Sequence, residues 1–574
     1  MRKTTALLLP LLLAVPLVAA AQEPVDLQVV TKIRDEGLNR SQVMETARVL
    51  TDEIGPRLTN SPAYRRATDW TRGKLTEWGL ANARLEAFEF GRGWSFSYVN
   101  VRMLKPDTVP FEALPKAWTP GTNGAVHGPV TRVTVEKAED LDQYKGKLAG
   151  TIVLITAPEE RPPQAQVQPP QQQPEENLFQ RYTDEALEKL EEFPISDRNL
   201  GELRRRFGRD SGLAKKRREF FASEGVVATV EVSSRDGMLL RLGGNTAYKV
   251  GENPGVPGLV LAAEQFNRVI RLLDKGTEVE LEVNVEAKFH EDQTKVNNVI
   301  AEIPGTDLKL KDEVVMAGAH LDSWHPGTGA TDDAAGCAVV MEAARILEAI
   351  GVKPRRTVRV ALWAGEEQGL RGSRAYVAEH FAFRPDPDDP AQKDLPEFAR
   401  TERKPLQFKP EWKKLSAYFN LDNGSGKIRG IYAQENAALR PIFAAWLEPF
   451  HDLGADTVTL RRTGGTDHQS FDGVGLPGFQ FIQDELDYDT RTHHTAADTY
   501  ERLQAADLKQ ASVIMASFIY NAAMRNEMLP RKPVPRDEPP RAAGERGGPG
   551  RPSGAPPTTP AAVPPAPAQR PPTP

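Results

Sequence analysis

Apolar residues in the second half of the chain form short runs separated by one long amphipathic segment. Three such runs lie at 314–319, 358–364 and 417–421, and each is the length of a β-strand. The segment 334–350 instead has apolar residues at three- to four-residue spacing, which is the period of a helix face. Strands that alternate with helices predict an α/β fold with a mostly parallel central sheet flanked by helices.

The amino-terminal part of the chain has the same character. Helix-like segments at 42–53 and 63–78 precede a strand at 83–90. Between about 111 and 289 the pattern changes to short β-type runs, for example at 130–135. We therefore predict a discontinuous α/β core with an inserted β-rich domain.

Two parts of the insertion stand out by composition. Residues 161–174 contain 11 Pro or Gln in 14 positions, which favours an extended loop. Residues 177–220 are charged and helix-prone and predict an exposed helical excursion. Whether that excursion acts as a lid stays open, and we expect the insertion to be separable from the chemistry.

Histidines and acidic residues occur where the predicted strands end. They are His320, Asp322, Asp332, Asp333, Glu366, Glu367, Asp422 and His494. Ligand sites in open α/β sheets lie outside the carboxyl ends of the strands. Imidazole nitrogens and carboxylate oxygens are donors that zinc accepts readily. The pattern predicts a hydrolase with two metal ions.

Five short motifs give the chain a family resemblance. They are His-Leu-Asp at 320–322, Thr-Asp-Asp-Ala-Ala-Gly at 331–336, Ala-Gly-Glu-Glu-Gln-Gly at 364–369, Asn-Leu-Asp at 420–422 and His-Thr-Ala-Ala-Asp-Thr at 494–499. In this order they resemble the M28 family of zinc metallopeptidases, which includes bacterial aminopeptidases and plasma glutamate carboxypeptidase. The β-rich middle region resembles the protease-associated (PA) domain that several members carry as an insertion.

The resemblance implies a complete metal site with two Zn²⁺ per chain. The implied ligands are His320, Asp332, Glu367, Asp422 and His494. Asp332 would bridge the ions, His320 and Asp422 would bind opposite ions, and the ion that takes Glu367 stays open. Glu366 would be the general base, which holds the attacking water and passes its proton to the leaving amine.

Four further residues are candidates for supporting roles. Asp322, two residues beyond His320, is placed to accept the second N–H of that imidazole. Tyr488 and His493 are candidates for oxyanion or substrate contacts, with plain packing as the equal alternative. Asp467 lies in a loop that could line the substrate site.

The resemblance favours hydrolysis of peptide bonds at chain ends, with an aminopeptidase as the first choice. A carboxypeptidase or dipeptidase of the plasma glutamate carboxypeptidase type is the alternative, because residues 320–324 are most like that branch. A glutaminyl cyclase would hold one metal, and a receptor-like relative would have lost ligands or the base. The complete ligand set argues against both.

Composition limits the kinds of partner that we expect, and the amino-terminal sequence predicts the location of the protein. A hydrophobic content of 39%, a charged content of 26% and a net charge of −6 describe a globular protein and argue against a nucleic-acid partner. We expect peptide substrates, and a homodimer stays open. Basic residues at 2–3, an apolar run at 6–18 and three alanines at 19–21 predict a cleaved signal peptide. We therefore expect export to the periplasm or the extracellular space, without stable membrane insertion afterwards.

The carboxyl terminus has too little apolar surface to fold. Residues 531–574 include 15 prolines among 44 positions, which predicts a disordered tail. The predicted organisation is a signal peptide at 1–21, an amino-terminal peptidase part at 22–110, a PA-like insertion at 111–290, the catalytic peptidase part at 291–530 and the tail at 531–574.

Overall fold

The computed structural model describes residues 23–156, 179–192, 200–393, 400, 402 and 404–535. The predicted signal peptide, the Pro/Gln stretch at 161–174 and the tail beyond 535 lie outside the described residues. Within the described ranges, no helix is long and apolar enough to cross a membrane.

The strands are numbered in chain order. They are β1 (Ala81–Glu89), β2 (Gly93–Lys105), β3 (Val109–Phe111), β4 (Ala113–Pro115), β5 (Val126–Thr134), β6 (Ile152–Thr156), β7 (Ala228–Val232), β8 (Gly258–Leu261), β9 (Glu280–His290), β10 (Lys295–Ile303), β11 (Val314–His320), β12 (Thr357–Trp363), β13 (Ala382–Phe383), β14 (Gln407–Phe408), β15 (Leu415–Asn420), β16 (Ile428–Tyr432), β17 (Thr457–Thr459) and β18 (Gly478–Gln483).

The α-helices follow the same numbering. They are α1 (Leu27–Asn39), α2 (Val43–Arg48), α3 (Pro62–Glu77), α4 (Asp184–Glu191), α5 (Leu200–Ser223), α6 (Ala263–Asp274), α7 (Ala335–Ala349), α8 (Arg371–His380), α9 (Pro390–Lys393), α10 (Arg440–Leu447), α11 (His468–Asp472) and α12 (Ala505–Met524).

The first sheet has eight strands in the order β1-β10-β12-β11-β15-β18-β16-β17. Four of its seven pairings are parallel, and they include the central run β12-β11-β15-β18. Helices α7 and α12 pack on one face, while α8 and α11 lie on the other. The prediction of an α/β fold is confirmed, with a mixed sheet whose centre is parallel.

The sequence of strand β11 is apolar throughout because both faces of the strand are buried. Val315, Ala317 and Ala319 face the core beneath α7 and α12, and Val314 and Met316 face the core of the opposite side. Successive side chains of a strand point to opposite faces, so a strand covered on both faces loses the alternation of apolar and polar residues.

The second sheet also has eight strands, in the order β3-β2-β9-β5-β6-β7-β8-β4, and it has a hydrophobic core of its own. Strand β2, which precedes the predicted insertion at 111–290, belongs to this sheet together with β9. The assignment of this region as a PA domain stays a prediction.

The region around the second sheet (the second-sheet region) is joined to the loop 484–496, which contains three of the predicted site residues, Tyr488, His493 and His494. The Leu242 N–H donates to the carbonyl of His494, and the Ala496 N–H donates to that of Leu240, both at 3.0 Å. At the other end of the loop, Gln180 and Leu486 exchange main-chain hydrogen bonds of 2.8 and 2.7 Å. The expectation that the insertion is separable from the chemistry is therefore corrected.

Part of the predicted helical excursion is docked on the first sheet, although most side chains of α4 are exposed. Arg181 forms ion pairs with the buried carboxylates of Asp484 (2.9 Å) and Asp507 (2.8 Å). Helix α4 lies against β17, and the Thr459 hydroxyl donates to the carbonyl of Leu190. This segment forms a second link between the two sheet regions.

A buried arginine fixes the chain between His320 and Asp332. The Arg57 guanidinium has no solvent exposure and donates to five main-chain carbonyls. They are those of Leu50 (3.0 Å), Gly55 (3.2 Å), Leu321 (2.8 Å), Thr328 (2.8 Å) and Gly329 (2.7 Å). One side chain thus connects the amino-terminal segment to the loop that precedes the turn of Asp332.

We predict that Arg57→Met lowers the free energy of unfolding by about 3 kcal/mol or more, because each buried carbonyl left without a donor costs about 1–3 kcal/mol. Arg57→Lys should recover only part of the loss, since an ammonium cannot reproduce the planar fork of donors. Urea denaturation is the measurement, with the exposed Arg66→Met as the matched control. An equal stability for Arg57→Met and Arg66→Met would contradict this role.

We predict that a chain ending at Pro535 unfolds at the same urea midpoint as the full chain, whereas one ending at Pro530 is less stable. Arg531 donates to the carbonyls of Trp412 (3.0 Å) and Leu415 (2.7 Å), and its guanidinium lies 4.4 Å from the Trp412 ring centroid. Losing these contacts should cost about 1–3 kcal/mol. Equal midpoints for the two truncations would show that residues 531–535 contribute nothing.

Candidate active site

The central strands of the first sheet bring the acidic and histidine residues to one edge. His320 is the last residue of β11, Glu366 and Glu367 follow β12, and Asp422 follows β15. Strand β11 pairs in parallel with β12 on one side and with β15 on the other. Parallel neighbours end at the same edge, so residues far apart in the sequence meet there.

The ligand atoms of these residues form two groups that share Asp332. In the first group, the His320 Nε2 lies 3.1 Å from Asp332 Oδ1 and 3.5 Å from Asp422 Oδ1. In the second, the His494 Nε2 lies 3.3 Å from Asp332 Oδ2 and 2.9 Å from Glu367 Oε2. Each oxygen of Asp332 thus faces one histidine, as the predicted bridging position requires.

The expected placement of His320 and Asp422 on opposite ions is corrected by this geometry. Ligand atoms of His320, Asp332 and Asp422 all lie within 4.8 Å of one another and could hold a single ion. The reason is the strand order, because β11 and β15 are neighbours in the sheet. Glu367, for which the sequence does not determine the ion, lies beside His494.

Asp322 supports its neighbours in a way that differs from the expectation. Its main-chain carbonyl, and not its carboxylate, lies at hydrogen-bond distance from His320 Nδ1 (2.8 Å). The carboxylate accepts from the main-chain N–H groups of Glu366 (3.2 Å) and Glu367 (3.4 Å) and from the Thr59 hydroxyl (2.8 Å). Asp322 therefore fixes the ends of two adjacent strands relative to each other.

The turn that presents Asp332 is held by two buried carboxylates. Asp333 accepts from the His320 N–H (3.2 Å) and the Gly336 N–H (3.0 Å). Asp498 accepts from both the N–H (2.6 Å) and the hydroxyl (2.8 Å) of Thr331. Gly336 is required by space, because a Cβ there would lie 2.2 Å from the Leu421 carbonyl oxygen. The motif residues that do not face the cavity thus shape the turn.

Negative charge is crowded at this edge. Burial raises the pKa of Glu366 well above its usual range, and the neighbouring Asp422 and Asp467 carboxylates raise it further. Burial together with Asp332 does the same to the pKa of Glu367. Carboxylates so close together repel one another unless cations lie between them.

Two observations indicate that these residues could bind divalent metal ions. The donors are imidazole nitrogens and carboxylate oxygens, which suit zinc. Asp332 Oδ2 and Glu367 Oε1 are buried, and neither has a hydrogen-bond partner among the described residues. Buried acceptors without a donor are costly, and a cation would satisfy both.

The remaining predicted residues surround this edge. The ring of Tyr488 stacks on that of His493 with centroids 4.9 Å apart, and His493 also belongs to a potential ligand group with Asp332 and His494. Burial and the adjacent His494 lower the pKa of His493 to about 4. Asp467 is fully buried, and no hydrogen-bond partner is found for either of its carboxylate oxygens in the described part of the chain.

A cavity of about 570 Å³ opens on these groups. Its acidic floor consists of Asp332, Glu366, Glu367 and Asp422. His493, His494, Tyr488 and Asp489 also line the cavity, together with four basic residues that we call the basic wall. The basic wall consists of Arg371, Arg374, Lys393 and Arg400. The sequence motifs did not point to this wall, although Arg371 and Arg374 follow the Glu366 motif at helical spacing.

Comparison with known proteins agrees with the geometry. The sequence profile of peptidase family M28 matches residues 298–519. Carboxypeptidase Q of Bos taurus is 26% identical over 496 residues, which cover 86% of this chain and 88% of that enzyme. Aminopeptidase YwaD of Bacillus subtilis is 25% identical over 253 residues, or 43% of this chain and about half (49%) of that enzyme.

The fold is also found among solved structures. The crystal structure of a peptidase M28 precursor from Shewanella amazonensis SB2B superposes with a TM-score of 0.61 at 24% identity, over 89% of this chain and 98% of that one. The matched profile at 298–519 includes every residue of the two ligand groups and of the acidic floor. The part of the chain that holds the site, residues 298–519, therefore matches peptidase family M28, and the protein is a metallopeptidase.

Proposed function

We propose that the protein is a two-zinc exopeptidase. The observation that supports it most directly is the position of Glu366, on the acidic floor beside two ligand groups that share Asp332. His320 and Asp422 would hold one ion with Asp332, and Glu367 and His494 would hold the other. Bound there, the two ions would lower the pKa of a water molecule and stabilise the negative charge that develops on the carbonyl oxygen.

Glu366 is the residue that would move the proton. Its main-chain N–H is anchored on Asp322, so its carboxylate extends from a fixed strand end into the cavity. The carboxylate would accept a proton from the attacking water and return it to the nitrogen of the leaving amine. Tyr488 and His493 line the same cavity and are our candidates for contacts with the substrate carbonyl.

Aminopeptidase action is the first candidate for the type of exopeptidase. It is supported by the similarity to aminopeptidase YwaD. A carboxypeptidase or dipeptidase is the second candidate, supported by the longer alignment with carboxypeptidase Q and by the basic wall, which could receive a carboxylate. The substrates would be short peptides, met after export across a membrane, as the amino-terminal sequence predicts. A homodimer stays a prediction.

We predict that Glu366→Gln lowers kcat by about 10²–10⁴-fold, which is the usual contribution of a general acid–base, and leaves the zinc content near that of the unchanged protein. Glutamine has the same shape but cannot take up the proton. Steady-state kinetics and metal analysis by mass spectrometry are the measurements.

Asp332→Ala and His494→Ala are the variants to compare with Glu366→Gln. Each removes a ligand atom from the two groups that share Asp332. Both should lose zinc as well as activity. Zinc bound only to the folded state stabilises it, so their thermal stability should also fall. Loss of zinc from Glu366→Gln, or full zinc occupancy in both alanine variants, would refute the assignment of roles.

We predict that the enzyme hydrolyses Ala-Ala and Ala-Ala-amide but not N-acetyl-Ala-Ala. An aminopeptidase needs a free amino terminus, whereas a carboxypeptidase needs a free carboxyl terminus and tolerates the acetyl group. Product analysis by chromatography distinguishes the three substrates. Cleavage of N-acetyl-Ala-Ala without cleavage of the amide would select the carboxypeptidase, and cleavage of Ala-Ala alone would select a dipeptidase.

A further inference from the structure

The loop that contains His494, residues 484–496, is held at its start by a segment of the predicted insertion. This segment, which we call the strap, consists of residues 179–192. Gln180 of the strap and Leu486 of the loop exchange main-chain hydrogen bonds of 2.8 and 2.7 Å and form a single antiparallel bridge. The strap therefore fixes the backbone of the loop only a few residues after the end of β18.

Side chains reinforce this attachment at Asp484. Its carboxylate is fully buried and accepts from the Tyr182 N–H and from the Arg181 guanidinium, both at 2.9 Å, while Arg429 lies farther away at 3.5 Å. The same Arg181 guanidinium forms an ion pair with the buried carboxylate of Asp507 (2.8 Å) at the start of α12. Among the residues that the structure describes, no other basic group lies within ion-pair distance of Asp507. Because a buried carboxylate is costly without a cationic partner, Arg181 joins the strap, the loop and α12 at one point.

Local hydrogen bonds connect this attachment to the site residues of the loop. The Tyr488 N–H donates to the carbonyl of Glu485, and the His493 N–H donates to that of Tyr488, both at 2.9 Å. These bonds close a compact turn between Leu486 and His494. A displacement of the loop at Leu486 would thus shift the imidazole of His494.

We propose that Arg181 is a positioning residue of the metal site, which acts through the loop rather than by contact with zinc. The inference rests on the proposed two-zinc site, in which His494 would bind only one of the two ions. The other ion would be held with His320 and Asp422, which lie at the ends of β11 and β15. The strap should therefore matter for the ion at His494 and not for the other one.

The test is zinc binding by the metal-free protein, measured by competition with a chelator whose absorbance depends on zinc. Arg181→Met should weaken the binding of one ion by about tenfold or more and leave the other nearly unchanged, since groups that orient a metal ligand typically contribute about 10–100-fold to affinity. A general loss of stability would not select one ion. Arg181→Lys should recover part of the affinity, because it keeps the charge without the planar fork.

Arg440→Met is the matched control. Arg440 also forms an ion pair with the strap, at 2.6 Å from Glu191, but it belongs to α10 and not to the loop. This variant should bind both ions as the unchanged protein does.

A second variant covers the case in which Arg181→Met does not fold because Asp507 is left without a cation. The double variant Arg181→Met with Asp507→Asn removes that buried charge and takes the place of the single variant. Asp507→Asn alone should keep both affinities, since Arg181 still binds Asp484.

Three results would contradict the scheme in different ways. Equal zinc affinities in Arg181→Met and Arg440→Met would refute the role of Arg181. Equal weakening of both ions in Arg181→Met would assign the effect to the fold as a whole and would also refute the positioning role. Failure of the unchanged protein to bind two zinc ions would refute the proposed function itself.

Discussion

The burial of several carboxylates at one edge of the first sheet is the constraint on which the site depends. Asp332, Glu366, Glu367 and Asp422 line one floor, and burial with mutual repulsion raises the pKa values of both glutamates. A protein interior can hold such groups only with cations or protons between them. The surrounding structure therefore has to keep the carboxylates in place against their repulsion. Hydrogen bonds to Asp322, Asp333 and Asp498 do this by fixing the strand ends and the turn on which the ligand atoms lie.

Much of the first sheet could be predicted from the sequence, because its central strands are buried on both faces and leave continuous apolar runs. Strand β11 and helix α7 were expected within one or two residues of their observed bounds, 314–320 and 335–349. The residues that meet at the site were also identified, since each belongs to a short motif. Their grouping was not, because it depends on strand order. No local pattern states that β11 lies between β12 and β15, and it is this order that brings His320 to Asp422.

The other features that could not be predicted from the sequence are long-range contacts. Arg57 lies more than 260 residues from the loop that it holds, and nothing near it in the sequence marks it as buried. The main-chain bonds between 240–242 and 494–496 also join distant segments, and main-chain groups leave no trace in side-chain composition. These bonds make the second sheet part of the support for His494. The β-rich region is thus part of the structure that supports the candidate site.

The same reasoning gives the second-sheet region a role in both halves of the cavity. Through Leu240 and Leu242 it supports the loop of His494 at the acidic floor, and through Tyr248 it orients Arg371 in the basic wall. Because the two supports come from one region, a shift of that region would move the loop of His494 and the side chain of Arg371 together.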